Sequence, residues 1–582
     1  MKFTWLLCTA LIGANLALAE HPKLSQEFRD LNPDARVDVI VQYKSAPTEA
    51  HHQRMRDRGA VHRSNLEAVQ GGVYTVKASA AASLADDPDV LYVTPDRPVH
   101  PMLDYSAAAV SAPMAQSAGY TGAGIGIAVI DSGITQHPDL QNGGLLGTGL
   151  LKGVRVVYQQ SFIGKDKDDL YGHGTHVAGI LSGNGSSSTD GGGSHPHNLT
   201  GIAPGANLID LQVLDANGRG TDSSVIAAIQ RAISLKDKYN IRVINLSLGR
   251  PVFESYTVDP LCQAVESAWK AGIVVVVAAG NSGRDNSFGN GGYATITAPG
   301  NDPFVITVGA MKTMGTNTPS DDLIASYSSK GPSMIDHIVK PDILAPGNQV
   351  VSLLADKKAT LFQNMSTQVA QSYFGEKGNG VNDNYFRLSG TSMAAPVVSG
   401  AAAILLQKTP SLNPDQVKAR LMKTATKTFP VSSVATEPST GMQYVSQYDI
   451  FTVGAGYLNI WAALNNTDLA KGTALSPSAS YNPADGKVYL MGTNAVWGTN
   501  AVWGTNAVWG TNAVWGTTVI VGGGNAVWGT NAVWGTNAVW GTNAVWGTSG
   551  LAGFNAVWGT NSVWGTNSVA VDSLSVLVNG EK

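Results

Sequence analysis

Three segments of the sequence carry side chains whose types and surroundings suit nucleophilic catalysis. Ser392 lies in a Gly-Thr-Ser-Met-Ala-Ala-Pro run that opens an apolar stretch, His173 stands between two glycines, and Asp131 follows an apolar run. A serine that ends a glycine-rich turn and begins a helix presents its hydroxyl, and the helix N-terminus favours negative charge beside it. Because a serine needs an imidazole to accept its proton and the imidazole needs a carboxylate to orient it, the set predicts a nucleophile, a base and an orienting acid.

The order of these residues along the chain separates classes of enzyme. An esterase of the α/β-hydrolase type has its serine first, within Gly-x-Ser-x-Gly, whereas here the serine comes last and Ala394 breaks that pattern. His173 and His176 are three residues apart and offer zinc as a second interpretation. No His-Glu-x-x-His pattern accompanies them in the sequence, so acyl transfer is favoured over a zinc site.

Asn281 adds a fourth candidate. It ends the most apolar run of the central region, in the block Ala-Ala-Gly-Asn-Ser-Gly. Taken alone it reads as a turn residue. Together with the other three residues it predicts a donor to an oxyanion, acting with the backbone N–H of Ser392.

These residues follow segments that predict a buried parallel sheet. Continuous apolar runs, without alternation, indicate strands covered on both faces, and helical segments separate them, so an α/β fold with a mostly parallel, doubly wound sheet is predicted. Ligand sites of such sheets form beyond the carboxyl ends of the strands, where the polar candidates stand. The runs are Ile125 to Ile130, Leu208 to Leu214, Ile241 to Leu246 and Ile273 to Val277.

Composition limits the partners. Charged residues make up 14% of the chain and the net charge is -4, which predicts no nucleic-acid partner. Cys8 and Cys262 are the only cysteines, and Cys8 lies in a segment predicted to be removed, so no internal disulfide is expected. Cys262 is expected to be a small buried residue.

The first hundred residues predict a leader and a small domain. Residues 1–19 resemble a secretory signal that ends in Ala-Leu-Ala, with an apolar core too short to span a membrane, so export is predicted. Residues 20–103 carry strand-like runs at Val37 to Tyr43, Val73 to Val76 and Val90 to Thr94, which bracket helical stretches. A proline-rich exit follows, as expected of a cleavable linker.

The C-terminal part is repetitive. Residues 465–491 read as a linker, and residues 492–569 repeat Gly-Thr-Asn-Ala-Val-Trp before a tail at 570–582. Six is an even period, so a strand keeps each residue type on one face, and a β-rich array is predicted. Ten of the 13 tryptophans lie there. They are read either as the core of the array or as an exposed surface for attachment or glycan binding.

The stretch Asp356 to Arg387 lies just before Ser392. It has no strong periodicity. We therefore expect an inserted surface loop near the cleft.

Residues 104–464 resemble the subtilisin-like serine proteases. The resemblance rests on the three blocks around Asp131, His173 and Ser392, on the Asn281 block, and on the closing Gly-Ala-Gly-Tyr-Leu-Asn stretch at 454–459. It implies that Asp131 orients His173, that His173 is general base and then general acid, that Ser392 attacks the scissile carbonyl, and that Asn281 stabilises the oxyanion.

The resemblance also implies a substrate cleft. A peptide would add as a strand between two backbone edges, where glycine lets the main chain approach. Arg250 stands where the family often has a second glycine, and Asp222 where a bulky residue often lines a distal pocket. The implied substrate-binding residues are Gly218, Arg219, Gly220, Ser247, Leu248, Gly249, Ala279 and Gly280.

Two further expectations come from the family. Asp139 matches a carboxylate that often binds calcium, so a structural calcium ion is one interpretation and a helix or turn cap is the other. No cofactor is needed for the chemistry. Residues 20–103 resemble an inhibitory prodomain, cut between Asp96 and Tyr105, which would occupy the cleft until export.

The sequence thus predicts a secreted, autoprocessed serine endopeptidase that acts on proteins and peptides as a monomer. Its only other partner would be its own prodomain, and the repeats could associate it with a surface. The alternative is a catalytically silent protein of the same fold whose tryptophan repeats carry the main role.

Overall fold

The computed structural model describes most residues between 21 and 491 and short pieces of the C-terminal region. Within 21–491 the gaps are 26–27, 29–32, 67–69, 96–104, 142–153, 166, 189–196, 198, 288, 375–379, 438–439 and 483–486; beyond them it describes 518–520, 526–527, 539–540, 569–570 and 574–581. The chain divides into two compact units, residues 1–100 and 101–582. The predicted signal segment and almost all of the predicted repeat array lie outside the described residues.

The first unit is a small α+β domain with a core of its own. Its antiparallel sheet has the order Val61–Leu66, Gly71–Lys77, Arg36–Tyr43, Val90–Pro95. The helices are Glu49–Asp57 and Ala81–Ala85, with a 3-10 turn at Ala78–Ala80. Alternate residues of the Arg36–Tyr43 strand are buried against the helices, which is why its sequence shows a period of two. The three predicted strands are present, and Val61–Leu66 adds a fourth.

The second unit is built on a sheet of eight strands, of which seven are parallel to one another. The four predicted buried runs form its centre, and all residues of Gly126–Asp131 are buried. Only Leu323–Ile324 is antiparallel. The order is Leu323–Ile324, Ile306–Lys312, Val274–Ala278, Ile241–Leu246, Gly126–Asp131, Asn207–Gln212, Val156–Ser161, and Ile343–Pro346 also pairs with Ile306–Lys312.

Helices pack on this sheet in two sets. His173–Ser182 packs with Thr391–Lys408, and Asp222–Tyr239 packs with Pro260–Lys270. The Thr391–Lys408 helix is buried from residue 391 to 406, which explains why its sequence is apolar all round. The remaining described helices of the unit are Ser106–Ala109, Ala112–Ser117, Pro414–Thr424, Ile450–Val453, Ile460–Asn465 and Leu574–Asn579, with 3-10 turns at Pro138–Leu140, Ser186–Ser188, Thr360–Gln363, Met365–Thr367 and Gln371–Phe374.

The expectation of a surface loop at 356–387 is wrong for its C-terminal part. Val381–Leu388 is a strand that pairs with Val350–Leu353 and Gln368–Ala370, and Tyr385 and Phe386 are fully buried. Apolar side chains are too few in this segment to give a clear period. Leu361, Phe362, Phe374, Tyr385 and Phe386 are buried, whereas Met365 is 83% exposed.

None of the described helices is long and apolar enough to cross a membrane.

Smaller strands complete the second unit. The strands are Arg219–Gly220, Ser432–Thr436, Gln443–Gln447, Ser478–Asn482, Lys487–Met491, Thr518–Ile520, Ala526–Val527, Val539–Trp540 and Val569–Ala570.

Candidate active site

Asp131 and His173 meet at the carboxyl edge of the sheet. Asp131 is the last residue of the central strand Gly126–Asp131, and His173 is the first of the helix His173–Ser182. His173 Nδ1 lies 2.7 Å from Asp131 Oδ1, and both side chains are buried. This contact fixes the ring, so that Nδ1 faces the carboxylate. Gly174 follows because a Cβ there would lie 2.2 Å from the carbonyl oxygen of Gly133.

Asp169 holds the start of the histidine helix, a role that the sequence did not reveal. Its carboxylate accepts hydrogen bonds from the backbone N–H groups of Gly172 at 2.7 Å and Thr175 at 2.8 Å. It also accepts one from Ser132 Oγ at 2.7 Å, and Ser132 Oγ accepts from the N–H of Gly174 at 2.9 Å. Complete burial raises the pKa of Asp169, against these hydrogen bonds. The available signal was an acid just before a helix start, which is a common capping pattern.

Ser392 lies in the first turn of the Thr391–Lys408 helix, next to the strand end at Ser247. Ser392 Oγ donates to the carbonyl oxygen of Ser247 at 3.2 Å, and Ser247 Oγ donates to the carbonyl oxygen of Ser392 at 2.8 Å. Since this helix packs against the one that begins at His173, the nucleophile and base candidates begin neighbouring helices.

Asn281 presents a buried amide donor beside the serine turn. Its Oδ1 accepts from the N–H of Thr391 at 2.9 Å and from Thr391 Oγ1 at 3.2 Å, which orients the amide. Among the described residues its Nδ2 has no acceptor, although the residue is only 6% exposed. A buried donor without a partner costs about 1–3 kcal/mol, so the fold tolerates it where a ligand is expected to supply the acceptor. A Cβ on Gly390 would lie 2.8 Å from Nδ2 and would fill this space.

His176 does not take part in the contact between Asp131 and His173. Its Nε2 lies 3.0 Å from the carbonyl oxygen of Val350, and burial lowers its pKa to about 3. The described residues contain no group of three or more side chains that could hold a metal ion. The zinc interpretation therefore receives no support from the part of the chain that the structure covers.

Of the two predicted substrate edges, one lies beside His173 and the other beside Ser392. Gly218 packs so close to Tyr171 that a Cβ would meet its ring at 2.6 Å, which places the Arg219–Gly220 edge on the histidine side. Ser247, Leu248 and Gly249 continue from the Ile241–Leu246 strand on the serine side.

Hydrogen bonds from their backbone N–H groups hold Ala279 and Gly280 in place. The N–H of Ala279 donates to the carbonyl oxygen of Val308 at 3.0 Å, and the N–H of Gly280 donates to Thr391 Oγ1 at 3.1 Å. These bonds brace the segment that carries Asn281.

Arg250 and Asp222, the two residues that differ from the pattern of the subtilisin-like proteases, contact each other. Arg250 Nε lies 3.0 Å from both carboxylate oxygens of Asp222, and its Nη2 lies 2.8 Å and 2.9 Å from those of Asp259. Arg250 and Asp259 are buried, whereas the side chain of Asp222 is 37% exposed. This ion-paired bridge joins the far ends of the two edges.

A pocket opens next to Asn281. It is lined by Ser282 and by Thr297, and Thr297 also contacts the positions where side chains at Gly249 and Gly280 would lie. Its other walls are mostly apolar, from Pro251, Val252, Ala294, Ile296 and Met334, with Asp285, Asn290 and Thr295. A side chain of a peptide on the serine-side edge could enter it.

Asp139 is satisfied by hydrogen-bond donors. Its carboxylate accepts from Tyr385 OH at 2.6 Å, from the N–H of Ser187 at 2.7 Å and from Ser186 Oγ at 3.0 Å. A calcium ion requires six to eight oxygen ligands, and this set of donors does not fit one. The geometry is that of a cap, and calcium binding by the protein stays an untested prediction.

Comparison with known proteins identifies the family. The family model described as the subtilase family matches residues 122–441, which is more than half of the chain. The chain therefore belongs to the subtilase family, and it is a serine peptidase. The resemblance drawn from the sequence motifs is confirmed at this level.

Individual relatives cover the same region. The chain is 39% identical to the serine protease AprX of Bacillus subtilis (strain 168) over 313 residues, which are 53% of this chain and 62% of AprX. It is 32% identical to subtilisin E of the same organism over 395 residues, which are 66% of this chain and 84% of subtilisin E. A solved structure of a cold adapted subtilisin-like serine proteinase matches at 26% identity with a TM-score of 0.37, over 58% of this chain and 88% of that one.

Proposed function

We propose that the protein is a secreted serine endopeptidase that hydrolyses peptide bonds of proteins through an acyl-enzyme. The observation that carries this proposal is the 2.7 Å contact between Asp131 and His173, next to a serine turn at which Asn281 Nδ2 has no acceptor among the residues that the structure describes. The position of this donor beside the turn that carries Ser392 favours a catalytic role over a catalytically silent member of the fold.

In the proposed reaction Ser392 Oγ attacks the scissile carbonyl carbon, and His173 accepts the hydroxyl proton. Asp131 keeps the ring in the required tautomer and stabilises its cationic form. The carbonyl oxygen becomes an oxyanion that accepts hydrogen bonds from Asn281 Nδ2 and from the N–H of Ser392. The C–N bond then breaks, and the amine leaves with the proton from His173. Water, deprotonated by His173, releases the acid and restores Ser392.

The substrate is proposed to bind as a strand between Arg219–Gly220 and Ser247–Gly249. Affinity would come from main-chain hydrogen bonds, so many sequences would be accepted. The largely apolar pocket beside Thr297 would favour an uncharged side chain next to the scissile bond. The Arg250–Asp222 bridge would take the place of a distal apolar pocket.

The experiment combines labelling with one matched pair of variants. Phenylmethylsulfonyl fluoride should modify Ser392, located by mass spectrometry, and Ser392→Ala should lose both the adduct and the cleavage of denatured casein. Ser399→Ala is the control, because Ser399 lies on the same helix but donates to Asn245 Oδ1 at 2.8 Å. Retained casein cleavage by Ser392→Ala would reject the assignment of the nucleophile.

We also propose that the first unit is an inhibitory prodomain. Its support is that residues 1–100 form a unit with a separate core, ahead of the region matched by the family. N-terminal sequencing of the secreted protein should place the mature end between Asp96 and Tyr105, and Ser392→Ala should accumulate as the uncut precursor. A mature end before residue 90 would contradict this, because it would split the sheet of the unit.

A further inference from the structure

The C-terminal end of the chain is embedded in the second unit. The side chain of Leu577 is fully buried and Val578 is 6% exposed, and the Leu574–Asn579 helix packs against the Val381–Leu388 strand. The carbonyl oxygen of Leu577 accepts a hydrogen bond from the N–H of Ser389 at 2.9 Å. Local sequence pattern does not predict this, because a tail of 13 residues after a repeat array is typical of an appendage.

Glu581 occupies a cationic pocket. Its Oε1 lies 2.8 Å from Lys312 Nζ, and its Oε2 lies 3.0 Å from Arg284 Nη2 and 2.8 Å from the backbone nitrogen of Ser326. Ser326 Oγ donates to the same Oε2 at 2.5 Å. The side chain is only 3% exposed. Burial would raise the pKa of this carboxyl, but its contacts with Lys312 and Ser326 outweigh burial and lower the pKa. The pocket is therefore built for a carboxylate.

The backbone around Glu581 is held as firmly. Its N–H donates to Asn348 Oδ1 at 2.7 Å, and its carbonyl oxygen accepts from Asn348 Nδ2 at 2.7 Å. Gly580 has φ +62°, and a Cβ there would lie 2.3 Å from Ser389 Oγ. Only glycine fits this position, so Gly580 and Glu581 match the surface that receives them.

The strand just before this anchor lies on the proposed substrate edge. Val569 pairs with Gly220 and Ala570 with Arg219, in an antiparallel ladder. A peptide added to this edge would need the same backbone N–H and C=O groups, and one edge accepts one strand at a time.

We propose that residues 569–570 and 574–581, here called the C-terminal strap, compete with substrate for the Arg219–Gly220 edge and are held there by the Glu581 pocket. This rests on the proposed function, because it requires that edge to bind substrate. A ladder of two residues is weak by itself. The anchor raises the local concentration of the strap to the millimolar range, which makes weak pairing effective.

The kinetic test uses the mature enzyme with its C-terminal region intact, and it compares two substrates. One is an acylated tetrapeptide p-nitroanilide, which can form a ladder, and the other is a single acylated residue as a p-nitrophenyl ester, which cannot. Glu581→Ala and Glu581→Gln should lower KM for the tetrapeptide by about threefold to tenfold and leave kcat and the ester kinetics unchanged. An unchanged tetrapeptide KM in both variants would overturn the proposal.

Glu437→Gln is the matched control. Glu437 Oε2 lies 3.0 Å from Arg284 Nη1, so the variant removes a carboxylate from the same guanidinium without touching the strap. Its tetrapeptide KM should equal that of the wild type. A fall as large as in Glu581→Gln would show that charge near Arg284 acts without the strap and would also overturn the proposal.

A second measurement does not depend on activity or on the Glu581 variants. Because Ala570 and Arg219 face each other in the ladder, Ala570→Cys with Arg219→Cys should form a disulfide under oxidised glutathione in the full-length protein treated with phenylmethylsulfonyl fluoride. Ala570→Cys with Asn217→Cys, two residues away, should form little. Cys262 is fully buried and does not interfere.

The outcomes separate the two proposals. In one outcome, phenylmethylsulfonyl fluoride labels Ser392 while the Ala570→Cys, Arg219→Cys pair cross-links no more than the Asn217→Cys control. In that case the C-terminal strap is absent from the Arg219–Gly220 edge, and this inference fails while the proposed function stands. If the cross-link forms but Ser392 is not labelled, the proposed function fails, and the strap remains only as a contact.

Discussion

The bridge at Arg250 gives a prediction of stability that can be worked out from its two partners. Arg250→Gln removes the guanidinium from Asp259, which is fully buried and contacted through both oxygens, and from Asp222, which is 37% exposed. Breaking a buried pair on one side leaves an uncompensated charge and costs about 3–5 kcal/mol. An exposed pair contributes about 0–1 kcal/mol. The loss should therefore come almost entirely from Asp259.

Asp259 keeps part of its environment in this variant. Its Oδ1 also accepts from the N–H of Leu261 at 2.9 Å, at the start of the Pro260–Lys270 helix. This cap reduces the penalty toward the lower end of the range, about 3 kcal/mol. Asp222→Asn, in contrast, should cost no more than about 1 kcal/mol.

The assay is urea unfolding of enzyme inactivated with phenylmethylsulfonyl fluoride, which prevents self-digestion, followed by tryptophan fluorescence. Wild type, Arg250→Gln, Asp222→Asn and the double variant are compared through their midpoints with a common slope. The double variant should match Arg250→Gln. Equal losses for the two single variants, or a loss below about 1 kcal/mol for Arg250→Gln, would refute the reasoning that burial of Asp259 decides the magnitude.

Three further predictions concern the site and its support. Asn281→Ala should lower kcat about 10²–10³-fold with little change in KM, measured on the tetrapeptide p-nitroanilide; an equal rise in KM would contradict a role confined to the oxyanion. Asp169→Asn should lower kcat about 10- to 100-fold by displacing His173, and should alter the pH profile of kcat, whereas a purely structural role would lower only the thermal midpoint. Burial lowers the pKa of Lys418 to about 7, so this group binds more protons in the unfolded chain than in the folded one between pH 7 and its ordinary value near 10.5; its contribution makes the free energy of unfolding rise with pH in this window, and Lys418→Met should reduce the measured slope by that contribution, while buried Lys330, with its pKa lowered to about 8, keeps its own.

The sequence predicted well those features that depend on local pattern. Short continuous apolar runs separated by helical segments indicate strands covered on both faces, so the centre of the sheet and the position of Asp131 at a strand end followed directly. Asn281 could be recognised because it ends the most apolar of these strands. Glycines beside His173 signalled close backbone contact, which the 2.2 Å approach of a Cβ to Gly133 explains.

Features that depend on contacts between distant segments could not be predicted in this way. Asp169 accepts a hydrogen bond from Ser132 Oγ, 37 residues earlier in the chain, and this contact ties the start of the histidine helix to the segment that follows Asp131. Tyr385 lies 246 residues from its partner Asp139, and Glu581 lies 269 residues from Lys312. A single sequence carries no record of such pairings, whereas periodicity records only which face of an element is buried.

The repeats are enclosed by two described flanks that belong to the same compact unit. The Lys487–Met491 strand precedes them, and the Val569–Ala570 strand with the Leu574–Asn579 helix follows them. A single cut between 492 and 568 would convert the C-terminal end into a separate chain held only by noncovalent contacts, whose occupancy would fall on dilution. Under the proposed competition between the C-terminal strap and substrate, proteolytic cleavage within the repeats would irreversibly weaken the hold of the strap on the Arg219–Gly220 edge.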